Sequence, residues 1–207
     1  GWGGAGAFSD GKLTYSPDVG GWLTALLGRE KVAELLKRVD EIYLRFGAPK
    51  RLYGEDEDLV AELARRASRA GLRLVPQKVR HMGTDGCARV LEAMRSYLSG
   101  RVELRMNTEV NRVLTRDGRV RGVQTKAGDV LEARYVVLAP GRGGAEWLRE
   151  ITRELGIKTA ANPVDVGLRV EVPSVVAEEL TDALYEPKLI YYSRRFDDKV
   201  RTFCVAP

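Results

Sequence analysis

The spacing of apolar residues along the chain predicts several amphipathic helices. Between residues 29 and 46, apolar side chains recur every three or four positions and form one stripe, which is typical of a helix packed on one face. Gly47 and Pro49 mark the end of this helix, because neither residue continues one well. The same pattern predicts helices over 56–70, 85–99 and 144–155, and a shorter helix over 174–184.

Alternation of apolar and polar residues predicts strands elsewhere, above all a β-meander between residues 101 and 133. Its turns are expected at Asp117-Gly118 and Gly128-Asp129, which are favourable hairpin sequences. The strands predicted in this region are 102–105, 109–115, 120–125 and 130–133. Further strands are predicted over 72–79, 166–172, 189–192 and 201–205.

A continuous apolar run, Tyr135–Ala139, predicts a parallel strand that is covered on both faces. The turn Ala139-Pro140-Gly141-Arg142 follows it and leads into a helix, whose first N–H groups stabilise negative charge. Gly141 allows a ligand to approach the backbone closely. This order of elements is recurrent in flavoproteins, and an ordinary strand–turn–helix is the alternative.

Composition narrows the class of protein. The 207 residues can bury a sizeable core, and 44% hydrophobic and 30% charged residues are typical of a soluble globular protein. The net charge is +5, but the basic residues are interspersed with acidic ones, and only 7% of the residues are aromatic. Both observations argue against a nucleic-acid-binding groove. No apolar run is long enough to span a membrane.

Cysteine and histidine are sparse. Cys87 and Cys204 are far apart and form no CxxC motif, which favours a reducing, cytoplasmic setting. His81 is the only histidine, so no metal site is expected. His81 is a candidate catalytic residue because imidazole titrates near neutral pH, and a structural histidine is the alternative.

Two phosphate-loop patterns occur at the start of the chain, and both lack their required context. Residues 1–6 satisfy G-x-G-x-x-G, but no strand precedes them and turn sequence follows them. Residues 6–12 match the start of a P-loop, but Leu13 occupies the position where Ser or Thr would hold magnesium. A P-loop nucleotide hydrolase is therefore the weakest of the alternatives.

The chain resembles the FAD-dependent dehydrogenases described as NAD(FAD)-utilising, within the glutathione-reductase-like flavoprotein superfamily. The resemblance is carried by Gly3-Gly4-Ala5-Gly6-Ala7-Phe8-Ser9-Asp10-Gly11-Lys12-Leu13, His81-Met82-Gly83-Thr84-Asp85, Leu138-Ala139-Pro140-Gly141-Arg142, Pro163-Val164-Asp165-Val166-Gly167-Leu168-Arg169-Val170-Glu171 and Arg201-Thr202-Phe203-Cys204. It implies an α/β fold: a partial Rossmann-like FAD-binding domain with a β-meander, and a mixed α+β region on the substrate side.

The resemblance also implies the cofactor, FAD, and the residues that bind it. Residues 3–13 would line the flavin side of the site, and Glu109-Val110 would contact the adenine through the backbone. The expected cofactor-binding residues are Gly3, Gly4, Ala5, Gly6, Phe8, Ser9, Asp10, Gly11, Lys12, Glu109, Val110, Ala139, Pro140, Gly141 and Arg142. Lys12 is a second candidate catalytic residue, because its ammonium could stabilise negative charge on the reduced ring; a solvated surface lysine is the alternative.

Two departures from the family pattern shape these expectations. The dinucleotide-fingerprint strand does not precede the glycines and the chain has no initiator Met, so an internal fragment of a longer protein is expected, and by itself it is expected to be inactive. Ala206 stands where a second cysteine would follow Cys204, which argues against a dithiol role.

The sequence therefore predicts an FAD-dependent oxidoreductase that transfers a hydride between FAD and a small-molecule substrate, with NAD(P)H as a candidate electron partner. Residues 1–20 and 85–155 are assigned to the FAD-binding domain, and 21–84 and 156–207 to the substrate side. A binding or scaffold module that folds without flavin is the rival from another class. The sequence leaves the oligomeric state open.

Overall fold

The computed structural model describes residues 2–19, 21–161, 164–202 and 204–205. The chain divides into two compact units. Trp2–Leu98 and the residues from Arg169 onward form one, here called the two-sheet unit, and Ser99–Leu168 forms the other, the meander unit. The described residues hold three small sheets and six α-helices, which confirms the predicted α/β class.

The elements are named in chain order. The helices are α1 (Leu23–Leu27), α2 (Arg29–Arg45), α3 (Glu57–Arg69), α4 (Gly83–Leu98), α5 (Ala145–Glu154) and α6 (Glu178–Leu184). The strands are β1 (Lys12–Tyr15), β2 (Arg73–Val75), β3 (Lys78–His81), β4 (Val110–Arg116), β5 (Arg119–Thr125), β6 (Val130–Glu132), β7 (Lys188–Tyr192) and β8 (Lys199–Arg201). Short 3₁₀ helices cover Gly4–Phe8, Arg142–Gly144 and Ser174–Val176.

Local sequence explains the helices of the two-sheet unit. The apolar stripe predicted over 29–46 corresponds to α2, and the stripe over 56–70 corresponds to α3. Asp56 caps α3 by accepting a hydrogen bond from the backbone N–H of Leu59 at 2.9 Å, which satisfies one of the free donors of the first turn. These predictions are confirmed because their signals lie within a few residues of one another.

Two antiparallel sheets organise this unit. β1 pairs with β3, and the register places Lys12 opposite His81 and Leu13 opposite Arg80. The second sheet has the order β2-β7-β8. Its core joins Leu63 of α3, Leu74 of β2 and Leu184 of α6, so the end of α6 is anchored by apolar packing.

A buried arginine fixes β3 in place. The side chain of Arg80 is 4% exposed and forms a two-pronged ion pair with Asp40 of α2, with Nε–Oδ1 at 2.8 Å and Nη2–Oδ2 at 2.9 Å. Its Nη1 donates to the carbonyl oxygens of Pro49 and Lys50 at 2.6 and 2.7 Å. The guanidinium therefore holds helix, loop and strand together.

The meander unit contains the predicted three-stranded antiparallel sheet, in the order β4-β5-β6. The turn between β4 and β5 is Asp117-Gly118, and both residues have positive φ, as the favoured two-residue hairpin turn requires. Gly122 cannot be replaced without movement, because a Cβ there would lie 2.1 Å from the carbonyl oxygen of Leu131. The meander and the helix α5 after it are confirmed.

Three predicted strands are wrong. Residues 102–105, Tyr135–Ala139 and 166–172 form no strand in the structure, and the side chain of Val137 is 90% exposed. A strand needs a hydrogen-bonded neighbour, and none of the described strands pairs with these segments. The apolar alternation therefore indicates extended chain that lacks a sheet partner among the described residues.

Other boundaries also differ from the prediction. The strand predicted over 72–79 is divided at Pro76-Gln77 into β2 and β3, which belong to different sheets, because proline has no N–H for a ladder. The strand predicted at 201–205 is β8, which ends at Arg201. No strand or helix was predicted before residue 29, whereas the structure has β1 and α1 there. Among the described residues, no helix has both the length and the apolar character to cross a membrane.

Candidate active site

Five polar side chains meet in the two-sheet unit: Asp10, Lys12, His81, Tyr185 and Glu186. They are called the Asp10 cluster below. The pairing of β1 with β3 places Lys12 opposite His81, and Asp10 precedes β1. Tyr185 and Glu186 directly follow α6. Three segments that are distant in sequence therefore contribute to one set of contacts.

A hydrogen-bonded triangle forms the centre of the Asp10 cluster. Nε2 of His81 lies 2.7 Å from Oδ1 of Asp10 and 2.8 Å from the hydroxyl of Tyr185. The same hydroxyl donates to both Asp10 oxygens, at 3.3 and 3.2 Å. The rings of His81 and Tyr185 are stacked with centroids 4.1 Å apart. The imidazole is thus held both by its edge and by its face.

This geometry assigns the proton of the neutral imidazole to Nε2. A carboxylate oxygen only accepts hydrogen bonds, so a nitrogen 2.7 Å away must donate to it. The lone pair then lies on Nδ1, and no described residue forms a hydrogen bond with Nδ1. Because the His81 side chain is 25% exposed, Nδ1 can accept a proton from a molecule outside the cluster.

Lys12 and Glu186 form the second part of the Asp10 cluster. Nζ of Lys12 lies 3.1 Å from Oε2 of Glu186 and 3.8 Å from Oδ2 of Asp10. It also donates to the carbonyl oxygen of Val205 at 3.3 Å. The ammonium is therefore fixed beside the triangle and balanced by two carboxylates, which differs from a solvated surface lysine.

Tyr185 has an unusual backbone conformation for a large side chain. Its φ of 58° and ψ of −60°, with the N–H of Glu186 donating to the carbonyl oxygen of Leu184 at 2.7 Å, describe the rare γ-turn with positive φ. Such a conformation costs on the order of 1–3 kcal/mol and persists only where the surroundings enforce it. Burial, followed by the negative charge of Asp10, raises the pKa of Tyr185, so the hydroxyl stays a proton donor.

The glycine-rich segment before β1 packs against α4. A Cβ at Gly3 would lie 2.5 Å from Cδ1 of Leu91, and a Cβ at Gly11 would lie 2.3 Å from Sγ of Cys87. Both glycines also have positive φ, at 81° and 73°. Their role in the structure is close packing on the helix, and this packing sets the position of Asp10 and Lys12 on either side of Gly11.

The middle of the glycine-rich segment is exposed to solvent. Ala5 lies with Gly4 and Gly6 in the 3₁₀ helix Gly4–Phe8, and Phe8 is 86% exposed. Ser9 Oγ donates to the carbonyl oxygen of Gly6 at 3.3 Å and accepts from the N–H of Gly11 at 3.1 Å. Ser9 therefore shapes the turn that leads into β1.

The remaining predicted cofactor residues belong to the meander unit. Val110 begins β4, and Glu109 pairs with Lys126 at 2.5 Å. Ala139 and Pro140 lie outside the described strands, and the 3₁₀ helix Arg142–Gly144 follows Gly141, which has a φ of 68°. These residues form a strand start and a tight turn before α5.

Sequence reasoning identified part of the Asp10 cluster and missed the rest. His81, Lys12 and Asp10 were each predicted as site residues, and the structure brings them together. Tyr185 and Glu186 were missed because no motif marks them: they follow a short helix without any pattern of their own. Of the predicted motifs, Gly1, Pro163, Phe203 and Ala206 lie outside the described residues.

Two depressions lie in the surface of the two-sheet unit. One of about 440 Å³ is lined by Tyr53, Asp56 and Asp182 among others, and another of about 350 Å³ is lined by Tyr15 and Asp40 among others. Neither contains a residue of the Asp10 cluster. The case for the cluster therefore rests on its hydrogen bonds and strain.

The two-sheet unit thus combines a glycine-rich turn with a histidine–carboxylate pair. Residues 4–186 match the profile of the flavin-containing amine oxidoreductases. The chain belongs to this family and is a flavin-dependent oxidoreductase. Its cofactor is FAD, which is typical of the family. A comparison with curated proteins found no match.

The backbone is open at three of the predicted cofactor-binding glycines, as it is at most glycines of the described residues. A Cβ at Gly4, Gly6 or Gly141 would meet no atom within 4 Å, so the backbone faces open space at these glycines. Backbone of this kind can contact a phosphate or a flavin edge without a side chain in between. The P-loop alternative is wrong, because Lys12 begins a strand and a P-loop lysine begins a helix.

Proposed function

We propose that the protein is an FAD-dependent dehydrogenase of the glutathione-reductase-like superfamily that transfers a hydride between FAD and a small-molecule substrate, with His81 as the proton acceptor. The observation that carries the proposal is the contact of His81 with Asp10, next to Lys12. Asp10 and Lys12 come from the segment 3–13 that the resemblance assigns to the flavin side of the site, and His81 comes from the region 21–84 predicted to lie on the substrate side.

The proposed role of His81 follows from the proton that the substrate releases during dehydrogenation. Dehydrogenation removes a hydride from a substrate carbon and a proton from the neighbouring nitrogen or oxygen, so a double bond forms between the two atoms. FAD, when bound, supplies the acceptor for the two electrons. His81 takes the proton at Nδ1, and Asp10 stabilises the imidazolium that results.

The cofactor would be held by backbone groups. Gly4 and Gly6 lie in the turn proposed to contact the flavin, and the turn at Gly141 would contact the phosphates. Glu109-Val110 would contact the adenine, as the resemblance implies. A cytoplasmic setting also stays a prediction, supported by the two cysteines, which are both free thiols.

Two classes of electron donor are proposed. The family's description names amines, whose oxidation to imines is a hydride transfer that also releases a proton. NAD(P)H is the other candidate donor. These classes are distinguishable because an amine needs a proton acceptor, whereas NAD(P)H gives up a hydride without releasing a substrate proton.

The test is reduction of the bound flavin without oxygen. The protein at its full natural length, when purified, should show flavin absorption, and a panel of primary amines, NADH and NADPH should contain a compound that bleaches it. His81→Gln should slow bleaching by an amine by about a hundredfold or more and leave flavin content unchanged. Equal rates in both proteins would contradict the role of His81. Protein that folds and never contains flavin would favour the scaffold alternative.

A further inference from the structure

The residues before and after Tyr185 hold it in its strained backbone conformation. Leu184, the residue before it, is buried in the core with Leu63 and Leu74. Glu186, the residue after it, is paired with Lys12, and its carbonyl oxygen accepts a hydrogen bond from Nε2 of Gln77 at 2.7 Å. The γ-turn therefore cannot relax unless the core or the Lys12 pair is disturbed.

The same turn determines where the phenol ring lies. Tyr185 is 8% exposed, and its ring packs between His81, at 4.1 Å, and Tyr53, at 5.2 Å between centroids. In this position its hydroxyl reaches both oxygens of Asp10 and the Nε2 of His81. Strain that persists beside a titratable pair is a reason to look for function.

We infer that Tyr185 is a positioning residue: its hydroxyl holds the Asp10 carboxylate against Nε2 of His81, so that Nδ1 is the nitrogen presented to the substrate. The inference rests on the proposed function in one respect, namely that Nδ1 takes a substrate proton. The contact itself is independent of any substrate. The raised pKa of Tyr185 supports the inference, because the hydroxyl keeps its proton over the working pH range.

His81 is the only histidine of the chain, so its nitrogen signals can be read without assignment. In ¹⁵N-histidine-labelled protein, we expect a protonated Nε2 whose hydrogen exchanges slowly with water. Tyr185→Phe keeps the ring and the turn and removes only the hydroxyl. Exchange of the Nε2 hydrogen should then become about fivefold faster or more, as expected from the loss of one hydrogen bond.

The matched control is Tyr53→Phe, which removes the hydroxyl of the neighbouring tyrosine, a group outside the hydrogen bonds of the Asp10 cluster. Exchange at His81 should stay as in the wild type. If Tyr185→Phe exchanges no faster than this control, the inference is overturned. If exchange is faster in Tyr185→Phe alone, and both variants melt within a few degrees of the wild type, a merely structural role is excluded.

A second variant covers the case in which Tyr185→Phe does not fold. Asp10→Asn removes the charge that contributes to the raised pKa of Tyr185, so the titration of a ¹³C-labelled Tyr185 should move to lower pH. An unmoved titration would overturn the contact between Asp10 and Tyr185.

Flavin reduction separates this inference from the proposed function. With an amine that reduces the flavin, Tyr185→Phe should lower the maximal rate several-fold and leave the half-saturating concentration unchanged. An unchanged rate in His81→Gln would count against the proposed function, whereas unchanged Nε2 exchange in Tyr185→Phe counts against the inference.

Discussion

Arg80 and His81 are neighbours on β3, and each is paired with an aspartate from another segment. Successive side chains of a strand point to opposite faces, so the two pairs lie in different surroundings. The Arg80 side chain is buried, and its other donors bind backbone carbonyl groups. His81 is partly exposed and contacts the hydroxyl of a strained tyrosine.

This difference separates a structural ion pair from a candidate functional one. Arg80 keeps its charge at any working pH, and its guanidinium binds Asp40 and backbone carbonyl groups, so its pair with Asp40 holds the fold together. Among the described residues nothing is hydrogen-bonded to Nδ1 of His81, so this nitrogen is available to a substrate proton. Four predictions test this comparison.

The largest effect is expected where the buried pair is broken. Arg80→Met leaves the Asp40 carboxylate and the carbonyl groups of Pro49 and Lys50 without their partner, so unfolding by urea should show a loss of roughly 3–5 kcal/mol. Arg95→Met is the control, because the pair of Arg95 with Glu92 is exposed and screened by solvent, so its loss should leave the free energy of unfolding nearly unchanged. Equal losses would mean that the Arg80 pair is not the main support of β3.

Breaking the pair of His81 with Asp10 should have the opposite result, namely a large loss of activity and a small loss of stability. Asp10→Asn removes the acceptor that stabilises a protonated His81, so the rate of flavin reduction by an amine should fall by about a hundredfold. The urea midpoint should change far less than in Arg80→Met, since Asp10 is partly exposed. A variant that unfolds readily and still reduces its flavin at the normal rate would reverse the assignment of the two pairs.

The pair of Arg80 with Asp40 should account for part of the stability that the protein loses at acidic pH. Burial, the largest single cause, raises the pKa of Asp40, but the hydrogen bonds with Arg80 and Tyr15 and the charge of Arg80 together outweigh it, and the net pKa lies below the unfolded value of 3.8. Asp40 therefore stabilises the native state above this pH, and the contribution is lost as the pH falls further. The stability gap between wild type and Asp40→Asn, measured at pH 7, 5 and 3, should narrow only at the lowest pH.

The smallest effect is expected at Lys12. Lys12→Met should make the flavin harder to reduce, but Glu186 and Asp10 already balance the ammonium charge. The midpoint potential should fall by on the order of 10–30 mV, since 30 mV corresponds to about 1.4 kcal/mol for two electrons. Glu186→Gln, the matched variant, should raise the potential. A Lys12 variant with an unchanged potential would indicate that Lys12 has only a structural role.

The sequence by itself determined the elements whose signals are local. The apolar stripes of α2 and α3 and the Asp117-Gly118 turn each depend on residues within a few positions of one another, so periodicity and turn chemistry predicted them. The candidate residues His81, Lys12 and Asp10 could also be named from the sequence, because their chemistry and their motifs are visible there.

Only the tertiary structure decided which segments meet. Tyr135–Ala139 has the composition of a buried strand, but a strand exists only when a distant segment pairs with it, and composition does not specify that segment. The contact of Tyr185 with Asp10 depends on the packing of Leu184 in the core and on a γ-turn that no motif announces. Pairing and packing across many residues are non-local, and this is why the sequence named three of the five residues of the Asp10 cluster and the fold supplied the other two.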